Sequence, residues 1–234
     1  MSHFTVLVVG ESPEEQLAPF SENLEMPRYV AYTKQQLIDG QRKSIEDYKN
    51  STYAEYLKDP ELYASKCKNN AHLEYLQNDF PKKLNFTEDE LYQEAIRYYE
   101  SNDIGEEGEV YSQSNPNSKW DFFQLGGRWA GLIEVNEGVE FNPPNFSWGW
   151  SAEDQLEVLS KRKTDSALKK NIANLKELKT FAVLMDGKWY ERGEMGWFGV
   201  VHDEKDENKW DDELERLLIS IPDETLLSVY DCHI

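Results

Sequence analysis

The sequence predicts an α+β domain, a mixed or mostly antiparallel sheet of about five to seven strands with helices mainly on one face and a helical insertion. Three observations carry that prediction. β-branched apolar runs stand at both ends of the chain, FTVLVV near the start and LLSVYDCHI at the close. Asp186-Gly187 sits between the apolar segments TFAVLM and KWYE, a strong short-range hairpin signal. Between the terminal strands lies TEDELYQEAIRYYE, where Thr87 and Glu90 form a capping box ahead of Leu91, Ala95, Ile96 and Tyr99.

In chain order, Phe4 to Val9 reads as a buried strand ended by Gly10. No GxGxxG follows, and the next residues are acidic, so a dinucleotide fingerprint is rejected. Pro13 and Pro19 limit Glu14 to Ala18 to a short helical turn. Thr33 to about Asn50 is amphipathic, with Leu37, Ile38 and Ile45 on one face, and Asp59-Pro60 starts another short helix. Residues 33 to 100 therefore read as a helical elaboration of a single domain spanning 1–234, and its tyrosines, which could line a ligand surface, read first as packing groups. Ser101 to Ser118 is expected as a loop.

Trp120 to Val135, WDFFQLGGRWAGLIEV, reads as two antiparallel strands joined or kinked at Gly126-Gly127. Ser151 with Asp154 caps a helix, and DSALKKNIANLKEL places Leu168, Ile172, Leu175 and Leu178 at helical spacing. Lys161, Arg162, Lys163, Lys169 and Lys170 form a basic cluster, expected as a solvated helix face, a complement to acidic surface or a contact for an anionic ligand at a helix end. A bend at Gly193 to Gly196 follows the hairpin, then a helix over about Glu207 to Ile219 and the terminal strand.

The 45 acidic and 25 basic residues give a net charge of -20, which disfavours direct binding to nucleic acid or anionic membranes. A wet, soluble surface accounts for such a charge, and so does mimicry of nucleic acid toward a DNA-binding protein. Cys67 and Cys232 lie far apart with no zinc-ligand spacing, as expected of a reducing cytoplasm, and no metal or cofactor is expected. No apolar run approaches a membrane span.

Against that acidic background Arg128, between two glycines and Trp129, is the least expected residue. Gly126 and Gly127 would bring backbone N–H groups to an anion, Arg128 offers a bidentate fork, and Trp129 offers a stacking plane. Arg192, with a following glycine and Trp197, is a second candidate for the same pocket. The bland alternative pairs Arg128 with a carboxylate such as Asp121 and assigns the glycines to a bulge. Asp231 and His233 share a strand face, with Cys232 on the other, so a Cys–His nucleophile is disfavoured. An acid–base or metal role for Asp231 and His233, joined by His3 or His202, stays open.

The strings MSHFTVLVVGESPEEQLAPFSEN, NPNSKWDFFQLGGRWAGL, DGKWYERGEMGWFG and PDETLLSVYDCHI together resemble a family of uncharacterised bacteriophage and prophage proteins. The resemblance implies a viral accessory protein in the host bacterial cytoplasm, expected to counter host defence. It implies no catalytic residue. Three functions follow as expectations: capture of a small anionic, nucleotide-like ligand by Arg128, Trp129 and Arg192; inhibition of a host protein by the acidic surface; or degradation of a nucleotide.

Overall fold

A computed structural model describes residues 2–146, 149–196 and 199–234. The strands are β1 (His3–Val9), β2 (Tyr29–Tyr32), β3 (Val110–Ser112), β4 (Phe122–Leu125), β5 (Ile133–Glu134), β6 (Lys163–Thr164), β7 (Ser166–Leu168), β8 (Ala182–Met185), β9 (Lys188–Glu191), β10 (Glu194–Met195), β11 (Val201–His202) and β12 (Leu226–His233). The α-helices are α1 (Pro13–Leu17), α2 (Lys34–Tyr48), α3 (Ala54–Lys58), α4 (Pro60–Lys66), α5 (Asn70–Glu74), α6 (Phe80–Lys83), α7 (Glu88–Ile96), α8 (Ala152–Ser160) and α9 (Glu207–Ser220). The chain divides into two compact units, one formed by residues 1–25 with 114–234 and the other by residues 26–113.

The first unit carries a six-stranded mixed sheet in the order β4-β12-β1-β8-β9, with β7 also paired to β12. β1 runs antiparallel to β12 and parallel to β8. Their central position explains their unbroken apolar runs: Val6, Leu7 and Val8 are all fully buried, because both faces of the sheet are covered. On one face Leu7, Val9, Leu227 and Val229 pack under Trp210, Leu214 and Leu218 of α9. On the other, Phe4, Val6, Val8, Tyr230 and Cys232 pack against Leu17 and Trp120. Asp186 and Gly187, at φ 52° and 70°, both adopt the left-handed conformation and close the β8–β9 hairpin as the sequence predicts.

Burial pushes the Cys232 thiol above its usual range, while Cys67 is partly exposed. In the folded protein one thiol per chain should therefore react with an aromatic disulfide reagent, and two after denaturation. Rapid reaction of both without denaturant would contradict the burial of Cys232.

Two expectations are corrected. Trp120 to Val135 is not a hairpin, since β4 pairs with β12 and β5 pairs with β6. Gly126 and Gly127 are both left-handed, at φ 71° and 57°, and the turns that follow carry the chain out of the sheet. Nor does DSALKKNIANLKEL form a helix. β7 pairs with the start of β12, and two 3₁₀ turns follow at Lys169–Asn171 and Leu175–Glu177. Tertiary bonds outweigh the local periodicity: the Asn174 side chain accepts from Glu134 N–H and donates to the Leu132 carbonyl.

In the second unit, α2 and α7 begin with capping boxes at Thr33 and Thr87. Leu37 and Ile38 meet Leu91, Tyr92 and Val110. Tyr48, Tyr53 and Tyr75 pack around Phe80, at ring-centre distances of 4.7, 4.8 and 6.0 Å. The expected loop after Glu100 contains β3, which pairs with β2 in a two-stranded ribbon.

Candidate functional site

The turn after β4 is built around two buried carboxylates. Asp165, which follows β6, accepts Gly131 N–H at 2.7 Å and also Asn145 N–H. Asp231 on β12 accepts Arg128 N–H at 3.0 Å through Oδ2. These carboxylates occupy the space that side chains at 126 and 127 would need. A Cβ on Gly126 would stand 2.7 Å from Asp165 Oδ1, and one on Gly127 would stand 2.6 Å from Asp231 Oδ2. Burial holds the Asp165 carboxyl above the usual carboxylate range, opposed by its two backbone N–H donors. The GGRW segment thus makes an anion-holding corner whose anions belong to the chain itself.

Asp231 also reaches across the sheet. Its Oδ1 lies 2.8 Å from Nδ1 of His3, while Nδ1 of His233 lies 2.6 Å from Oδ1 of Asp121. His3 and His233 are directly opposed in the β1–β12 register, and their ring centres are 4.9 Å apart in an edge-to-face contact. An ionised carboxylate only accepts, so Nδ1 of each ring is placed to donate to it, the tautomer that leaves the lone pair on Nε2. Neither Nε2 bonds a described residue. The register of β12 places Cys232 on the opposite face, within the core.

The remaining sequence candidates separate. Gly126 N–H donates to the Val229 carbonyl and Gly127 N–H to the Leu125 carbonyl, so neither amide is available to a ligand. Trp129 is partly buried against the core. Arg192 pairs with Glu204 at 2.5 Å and lines a cavity of about 260 Å³ with Thr5, Thr180 and Trp210, to which Arg128 does not contribute. Trp197 lies outside the described residues. In the basic cluster, Lys161 pairs with Glu157 and Lys170 with Glu224, while Arg162 donates to the Val139 carbonyl.

Arg128 is exposed, and its side chain sets it apart from the other arginines. Of the seven in the sequence, Arg42, Arg97 and Arg192 pair with carboxylates. Arg28, Arg162 and Arg216 donate to backbone carbonyls. The Arg128 guanidinium bonds no described residue, Asp121 included, although its own backbone is fixed by Asp231.

Sequence reasoning missed Asp165 and the pairing of Asp121 with His233. Among the described residues, no group of three or more His, Cys, Asp or Glu side chains is disposed to hold a metal ion, and no helix is long and apolar enough to cross a membrane. No family model, curated protein or solved structure matches the chain.

Proposed function

We propose that this chain is a phage accessory protein that captures a small anionic, nucleotide-like ligand through Arg128 and thereby counters a host defence signal. The observation supporting this reading is the guanidinium of Arg128, which bonds no described residue, on a backbone anchored by a buried carboxylate. In a chain of net charge -20, a cation left without a carboxylate partner among the described residues preserves a bidentate site for phosphate. The glycines serve by admitting Asp231 and Asp165 beside the turn, so the anchor is held rigid without donating to the ligand.

Calorimetry with a panel of cyclic oligonucleotides and ADP-ribose derivatives tests the proposal. At least one should bind, and Arg128→Ala should weaken that binding about tenfold or more, the loss of a charge-assisted bidentate contact. Affinity should also fall as ionic strength rises. Silence across the panel, or equal binding by Arg128→Ala, would remove Arg128 as the anchor. The paired imidazoles favour a second reading, in which the captured ligand is turned over, and product analysis of the same mixtures distinguishes it.

A further inference from the structure

We infer that His3 and His233 form a binding site for one borderline divalent transition ion of the Zn²⁺ or Co²⁺ type, held by the two Nε2 atoms with the remaining positions open to water or an anion. The inference stands on the imidazoles alone and does not require ligand capture by Arg128. Each ring is arranged as metal-bound histidines are, with Nδ1 on a carboxylate: Asp231 for His3, Asp121 for His233. That contact fixes the tautomer and ring orientation, and leaves the Nε2 lone pair as the donor.

The spacing fits a shared ion. A metal about 2.1 Å from each Nε2 lies about 3.2 Å from each ring centre, so two rings at a near-tetrahedral angle have centres about 5 Å apart. The observed separation is 4.9 Å. Direct opposition of the two residues on adjacent central strands holds that spacing in the backbone. A purely structural histidine pair would spend both nitrogens of each ring within the protein, whereas here neither Nε2 bonds a described residue. Two protein donors leave an open coordination sphere, the arrangement in which an ion can polarise an exogenous oxygen ligand.

The test is a titration of untagged protein with Co²⁺, followed by its visible absorption and then by displacement with Zn²⁺. We expect a band that saturates at one Co²⁺ per chain. His3→Ala should weaken uptake at least tenfold, and Asp121→Asn about tenfold through its loss as a carboxylate partner. His202→Ala, on an exposed position of β11, should leave uptake unchanged. Because His3 stands at a strand end and is more exposed than His233, His3→Ala serves even where a variant at 233 does not fold. Absence of a saturable band in the wild type, or wild-type uptake by His3→Ala, overturns the site.

Discussion

Gly127→Ala should destabilise the sheet-bearing unit by about 4 kcal/mol, a large part of the roughly 5–15 kcal/mol that holds a typical domain together. Three costs add. An alanine at φ 57° pays roughly 1 kcal/mol for the left-handed conformation. Its Cβ would press on the Asp231 side chain, which cannot retreat because β12 is paired on both sides, and such overpacking costs about 1–3 kcal/mol. Displacing Asp231 also strains its bond from Arg128 N–H, a charge-assisted contact of about 1.5–3 kcal/mol. Thermal unfolding should show a midpoint about 10 °C below wild type. Gly138→Ala is the control: its φ of 79° is equally left-handed, but no atom lies within 4 Å of the new Cβ, so about 1 kcal/mol is expected. Equal effects of the two substitutions would mean that close approach of Asp231 is not what requires glycine at 127.

The same contact explains why the central segment misleads as sequence. A glycine pair between apolar runs signals a hairpin or an anion cradle, and both readings rely on local chemistry. The left-handed backbone at 126 and 127 was legible, but the partners were not. Asp231 is 104 positions from Gly127 and Asp165 is 39 from Gly126, and neither separation leaves a mark in the local pattern. Long-range pairing also defeats the helical spacing after Asp165, since β7 finds its strand partner at Leu226–Ser228. Elements with local signals fared differently: the helix after Thr33, the capping box at Thr87, the Asp186-Gly187 turn and the terminal strands all lie where the residues place them. The two apolar runs from opposite ends of the chain meet as an antiparallel central pair, and the sheet is mixed because β1 also runs parallel to β8.

The site was legible only in part. Period-two alternation put Asp231 and His233 on one face with Cys232 on the other, and the β1–β12 register then brought His3 to them. Asp121 was legible only as a possible partner of Arg128, because it reaches His233 through the pairing of β4 with β12. Arg128 stood out by its charge, whereas its lack of a partner among the described residues is a property of the fold alone.

Asp165→Ala should cost about 3 kcal/mol, because two buried or half-buried backbone donors, Gly131 N–H and Asn145 N–H, lose their common acceptor at about 1–3 kcal/mol each. Asp165→Asn keeps one acceptor oxygen and should cost less, while turning its amide toward a donor. The pH dependence then separates charge from geometry. Burial raises the folded carboxyl above its unfolded value of about 3.9, so between those two values the folded state binds more protons than the unfolded chain. The stability contributed by this group is therefore fully present below the unfolded value and declines as pH rises through the folded one. Asparagine cannot titrate there, so the gap between wild type and Asp165→Asn should be widest near the lower end of that window and narrower at neutral pH. Urea unfolding of both proteins at pH 4.5 and 7.5 measures it. A gap that widened with pH would mean that the N–H donors from Gly131 and Asn145 outweigh desolvation, and that the turn stabilises the ionised carboxylate it encloses.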